Sequence, residues 1–151
     1  MGDVNSQSRV EIIDTHCHLF LIDDEPQAVV DAARVAGVSA LVCAGVDAES
    51  SRRSRELADA ISGVFATAGV HPHSATDFDG TAGSAVEELL ADPRVVAVGE
   101  TGLDYYRMKS PAEDQRKALM HTKSGEDEDG VRAQQAGGGE EERHQDRKSV
   151  V

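Results

Sequence analysis

Tryptophan is absent from this chain of 151 residues, and only five residues are aromatic, three Phe and two Tyr. No run of 18 apolar residues occurs, which excludes a membrane-spanning helix. The N-terminal MGDVNSQSRVEIID has no basic cluster followed by an apolar stretch. No secretory leader is read there, and a cytoplasmic location is expected. Cysteine is scarce: Cys17 and Cys43 do not make a disulfide framework, and neither sits in a Cys-x-x-Cys. Basic side chains are also few, 15 against 28 acidic ones, for a formal net charge of -13. That balance argues against a protein that coats nucleic acid generally, because phosphates are met by Lys and Arg. The length bounds the chain to one domain or part of one.

The composition changes abruptly near Leu119. Residues 1–119 hold 53 of the 59 hydrophobic residues, and residues 120–151 hold six. The second segment carries two acidic clusters and Gly137-Gly138-Gly139. It has too little apolar surface to offset backbone ordering, which costs roughly 1–2 kcal/mol per residue. It is expected to be a disordered polar tail, and residues 1–9 a flexible N-terminus.

Between them the pattern alternates. Apolar strands are predicted at Val10–Asp14, Ala40–Ala44, Val64–Val70 and Val95–Gly99. Helices are predicted at Pro26–Ala36, stopped by Gly37, from an Asp47 cap through Ile61, and from Thr81 or Gly83 to Ala91. Ser110-Pro111-Ala112-Glu113 reads as a capping box with Pro at the first helical position, opening a fourth helix. Strands separated by helices imply a parallel α/β sheet. The spacing suits a doubly wound sheet or half of an eight-fold βα barrel. A full barrel takes about 250 residues.

In such folds chemistry gathers at the carboxyl ends of the strands. Those ends carry Asp14-Thr15-His16-Cys17-His18, His71-Pro72-His73 and Glu100. Strand two ends in Cys43-Ala44-Gly45, small residues that leave space. His16 and His18 lie two apart on an extended segment and share a side. Their Cα atoms are roughly 6–7 Å apart, close enough for two imidazoles to meet on one cation. Cys17 points the other way, into packing, and Asp14 is placed to orient an imidazole or a water. Glu100 is at the same level on another strand and can ligate the same cation or bridge two. His71 can bond a substrate oxygen. Each motif alone has a bland reading as a turn or solvated end. The three together, on one sheet, favour a metal site. Arg52, Arg53 and Arg55 read as a solvated helix face, Cys43 as core. Tyr105 and Tyr106 read either as a stacking surface for a base or sugar or as a loop plug.

Three stretches carry a resemblance. Asp14-Thr15-His16-Cys17-His18-Leu19, Gly69-Val70-His71-Pro72-His73 and Val98-Gly99-Glu100-Thr101-Gly102-Leu103-Asp104-Tyr105-Tyr106 resemble the TatD family of metal-dependent deoxyribonucleases, in the family's order and close to its spacing. Ser110-Pro111 and Glu113-Asp114-Gln115-Arg116 fit the same pattern. The resemblance covers about residues 10–119. It implies the first four βα units of a TIM-type barrel, with His16, His18 and Glu100 as metal ligands and His71 contacting phosphate. It also implies two divalent cations (zinc, magnesium or manganese) and hydrolysis of DNA phosphodiester bonds by an activated water, with no membrane or protein partner. Past Leu119 the chain departs from the family pattern, and no ligand role is carried onto His121 or His144. That departure reads as a truncated or frame-shifted version of a longer gene. Two other outcomes stay open: an amidohydrolase of small esters or amides, and an inactive fragment.

Overall fold

A computed structural model describes residues 11–124 and 149–150. The elements follow in the order β1 (Ile12–Cys17), α1 (Pro26–Val35), β2 (Val38–Ala44), α2 (Ala48–Ala60), β3 (Val64–Ala68), α3 (Gly80–Leu90), β4 (Val95–Val98), α4 (Ala112–Ser124) and β5 (Ser149–Val150). Short 3-10 turns occupy Leu19–Leu21 and Pro72–Asp77. All pairings are parallel, and the strand order β1-β2-β3-β4-β5 follows the chain without a reversal. A doubly wound sheet would reverse direction at a switch point. The winding is therefore that of a βα barrel, and the expected first four βα units are present.

One face of the sheet is dry. Val30, Leu41, Cys43, Ala58, Val64, Ala66, Val86, Val95 and Ala118 form a single cluster that joins all four helices to β2, β3 and β4. The period-two alternation is plain in β4, where Val95 and Ala97 are buried and Val96 is exposed. Each fully buried Val contributes about 1.5–3 kcal/mol by leaving water. The helix-facing residues of β3 are mostly small, so the helices lie close. On α2 the apolar residues Leu57 and Ala58, with Ile61 just past its end, face the core, and Ser50, Ser51 and Ser54 extend that buried face. Ser54 donates to Cys43 Sγ (3.4 Å), and Ser51 Oγ accepts from the Gly69 amide (3.2 Å). These buried hydroxyls are satisfied, so they cost little.

Asp47 caps α2 in a reciprocal box with Ser50. Asp79 caps α3, whose start at Gly80 precedes the predicted one. The expected capping box at Ser110 is not what its hydroxyl does. Ser110 is fully buried, and its Oγ accepts from the Thr76 amide and donates to the His73 carbonyl, both at 3.1 Å. A buried hydroxyl takes whichever partners reach it, and here these are on the Pro72–Asp77 turn.

α4 continues to Ser124, past the expected boundary at Leu119, and β5 adds a strand from the polar segment that the apolar pattern does not predict. Its backbone pairs with Ala97 and Val98 along the free edge of β4. The rest of the expected tail, and the expected flexible N-terminus, lie outside the described residues. Among the described residues no helix is long and apolar enough to cross a membrane.

Candidate metal centre

The carboxyl ends of β3 and β4 meet closely. Thr67 donates its hydroxyl to the Gly99 carbonyl (2.5 Å), and the Gly99 amide bonds Ala68 O (2.9 Å). A Cβ on Gly69 would stand 2.7 Å from the Gly99 carbonyl carbon, so β3 and β4 approach here only because residue 69 is Gly. Gly45 is similarly constrained: a Cβ there would lie 2.3 Å from Ser51 Oγ. The small residues ending β2 thus serve close packing and do not open a space. The Gly45 carbonyl accepts from the Glu100 amide (2.6 Å), and the Val46 carbonyl accepts from the His71 amide (2.8 Å). Glu100 and His71 are therefore both hung on the turn that follows β2.

His16 belongs to β1, which runs to Cys17, further than the predicted Asp14. Its Nε2 lies 3.3 Å from Glu100 Oε2. The Nε2 of His18 lies 3.8 Å from the same oxygen. The ligand atoms of His16, His18 and Glu100 all fall within 4.8 Å of one another, and the three residues are partly open to solvent. His18 Nδ1 is 2.8 Å from the Ala44 carbonyl. A carbonyl only accepts, so Nδ1 carries a proton, and in the tautomer this selects the Nε2 lone pair is aimed at a carboxylate oxygen. Two acceptors facing each other repel unless a positive charge lies between them. Two imidazoles and a carboxylate, with the second nitrogen of one imidazole fixed by a backbone carbonyl, are a donor set that fits zinc and related divalent cations.

Asp14 does not reach an imidazole; its Oδ1 accepts from the His16 backbone amide (3.0 Å). It shapes the strand end. Cys17 lies opposite Cys43 in the β1–β2 register and packs against the core, as expected. Its hydrogen bond with Cys43, with burial, raises its thiol pKa, so it stays a neutral core residue.

The second histidine pair behaves differently. His71 Nδ1 accepts from the His73 amide (3.1 Å). Its proton therefore sits on Nε2, 3.4 Å from Glu100 Oε1. Burial lowers the His71 pKa, and the neighbouring Glu100 charge only partly opposes this. His73 Nε2 is 2.6 Å from Asp104 Oδ2. Asp104 also accepts from the amides of Tyr106 and Arg107 on Oδ1, both at 2.9 Å. The Arg107 amide and His73 hold its carboxyl down at about 2. Asp104 and His73 were visible in the sequence motifs but carried no assigned role there. Their pairing appears only once the 3-10 turn has brought β3 and β4 loops together.

His121 is not at this site. It packs from α4 onto α3, 3.3 Å from Glu87 Oε1, with its ring 5.2 Å from that of Phe78. A cavity of about 530 Å³ lies between the Leu19–Leu21 turn, α1 and α2, lined by Phe20, Asp23, Arg53 and Glu56 among others. None of the cluster residues lines it.

The family model described as TatD related DNase matches residues 13–124. The chain is 40% identical over 92 residues to the 3'-5' ssDNA/RNA exonuclease TatD of Escherichia coli (strain K12), covering 61% of this chain and 35% of that protein. It is 42% identical over 94 residues to the protein of the same name from Pantoea vagans (strain C9-1), covering 62% and 36%. Among solved structures it is similar to a TatD homologue from Escherichia coli K12, with a TM-score of 0.64 and 28% identity, over 73% of this chain and 44% of that one. A TatD family hydrolase from Entamoeba histolytica, at 21% identity and a TM-score of 0.63, shares the fold over 73% and 44%. The chain spans about a third of the length of the curated relatives it matches.

Proposed function

Because this chain belongs to the TatD-related DNase family, we propose that its strand ends form part of a divalent-metal phosphodiesterase site acting on single-stranded nucleic acid. The observation that carries this reading is the convergence of His16 Nε2, His18 Nε2 and Glu100 Oε2 on one point at the carboxyl end of a parallel sheet. The names of the bacterial relatives, 3'-5' ssDNA/RNA exonucleases, support the substrate class. RNA thereby joins the DNA expected from the sequence.

His16, His18 and Glu100 would hold the cation, or two cations with the Glu100 carboxylate shared between them. Bound there, divalent cations supply Lewis acidity toward phosphate oxygens and toward water. The other residues do the positioning. The Ala44 carbonyl fixes the His18 tautomer, and the Gly45 carbonyl fixes the backbone of Glu100. His71, neutral and protonated on Nε2, is a hydrogen-bond donor that can reach a phosphate oxygen beside Glu100. In the reaction, water adds to phosphorus, the P–O bond to one sugar oxygen breaks, and the proton given up by the water is matched by one taken up by that leaving oxygen.

The test is direct. Protein loaded with zinc, magnesium or manganese is given an end-labelled single-stranded oligonucleotide and a panel of small esters, each with and without chelator. Metal-dependent shortening of the oligonucleotide, lost in Glu100→Gln, is expected. Cleavage that persists in chelator, or ester hydrolysis with no oligonucleotide cleavage under any of the metals, would overturn the reading.

A further inference from the structure

Both tyrosines of the chain sit side by side in the loop between β4 and α4, and both are exposed, Tyr106 at 93% and Tyr105 at 55%. Leu103 and Met108 of the same loop are exposed as well, and an aromatic ring with an open face can stack on an unpaired base. Three further observations make this loop more than a bare surface.

The loop is rigid at its base. Gln115, fully buried on α4, accepts from the Asp104 amide (2.7 Å) and donates to the carbonyls of Ser110 (2.8 Å) and Asp104 (3.2 Å). Asp104 receives the amides of Tyr106 and Arg107. The Tyr105 hydroxyl accepts from Arg116 (3.3 Å), while among the described residues the Tyr106 side chain has no hydrogen-bond or ring partner. One ring is tied down and the other is presented.

The charge is also local. Residues 11–103 carry 16 acidic and five basic side chains, whereas residues 104–117 carry three and four. Arg107, Lys109, Arg116 and Lys117 are exposed, and one of the three acids, Asp104, is already taken by His73. With this small positive balance the loop would not repel a phosphate chain, as the mostly acidic surface around it would. Finally, the loop is coupled to the metal centre. Asp104 holds His73, whose ring centroid lies 4.5 Å from that of His71, which in turn faces Glu100.

We infer that Tyr106 is a stacking platform for an unpaired nucleobase, with Arg107 and Lys109 meeting the adjoining phosphates, so that a single strand is held beside the His16–His18–Glu100 cluster. The inference rests on the proposed phosphodiesterase reading for the identity of the ligand. It explains how a chain with net charge -13 takes a polyanion, namely at one aromatic and cationic loop.

The experiment measures binding of a fluorescent single-stranded octanucleotide by anisotropy in chelating buffer, so that no cleavage occurs. Tyr106→Ala is expected to weaken binding about tenfold, the scale of one lost base stack, and Tyr106→Phe to bind like the wild type. An octanucleotide of abasic residues should weaken binding to the wild type similarly and should not distinguish Tyr106→Ala from it. Equal binding by Tyr106→Ala, indifference of the wild type to the missing bases, or no binding at all would overturn the platform. The wild type is assayed in parallel, with metal, on bis(p-nitrophenyl) phosphate, a diester without a nucleobase. Hydrolysis of that ester without oligonucleotide binding sinks the platform alone; base-dependent binding without hydrolysis sinks the phosphodiesterase reading alone.

Discussion

The ends of β1 and β3 each carry two histidines separated by one residue, yet their ring nitrogens are used differently. At the end of β1, His18 gives its Nδ1 proton to a backbone carbonyl, and both His16 and His18 turn Nε2 toward Glu100 Oε2. At the end of β3, His71 spends Nδ1 as an acceptor and His73 spends Nε2 on Asp104. In the proposed site the first pair would offer lone pairs to a cation, and the second would offer one proton and a support for it. What separates ligands from positioning groups here is the partner of the other nitrogen, a detail of backbone placement.

The comparison breaks most visibly at the metal. Removing His18 or Glu100 deletes a donor, so His18→Ala and Glu100→Gln should lower zinc affinity by more than the roughly 10- to 100-fold typical of losing an outer partner. Competition with a chromophoric chelator measures this. His71→Ala should leave the affinity in place and lower kcat on a single strand by roughly 100-fold, the scale of one lost donor to an oxyanion. If His71→Ala instead empties the metal site, the two pairs are equivalent and the distinction fails.

A third prediction concerns the support alone. The Asp104 carboxyl is held at about 2, below its ordinary value of about 4. A depressed carboxyl stabilises the folded state above its unfolded pKa and loses that contribution as pH falls through the folded one. Urea unfolding should therefore show wild type more stable than Asp104→Ala at pH 5, with the gap narrowing between pH 4 and pH 2. A gap that is constant with pH would mean the carboxylate charge is not what holds the loop.

The strands, the helices and their order were legible because each strand is a short apolar run, Gly37 stops α1 and Asp47 caps α2. The convergence of His16, His18 and Glu100 was legible too, since all three fall at strand ends and a parallel sheet brings such ends together. Other features were not. The serines that extend the inner face of α2 carry no hydrophobic signal, because Ser51 and Ser54 meet Gly45 and Cys43 by closeness and hydrogen bonding and not by apolarity. The carbonyls of Ala44 and Gly45 that orient His18 and Glu100 have no side-chain signature at all. Ser110 looked like a cap from its neighbours in sequence, but its partners, Thr76 and His73, are 34 and 37 residues away.

His121 gives the smallest expected effect on the metal and the sharpest check on where the centre ends. Its ring covers Gly83 on α3, where an added Cβ would stand 2.2 Å from Nε2. His121→Ala should therefore leave metal content unchanged and cost only packing stability. Gly83→Ala alone has two opposed effects: Ala is favoured over Gly in a helix by about 1 kcal/mol, but the methyl displaces the ring, and overpacking typically costs about 1–3 kcal/mol. The clash should win while His121 is present and vanish when it is absent. Gly83→Ala is then destabilising in the wild-type background and neutral or stabilising in the His121→Ala background, a sign change that thermal unfolding of the four proteins would reveal. If metal content fell with His121→Ala, the centre would have to extend to α4, and the placement of that histidine as packing would be wrong.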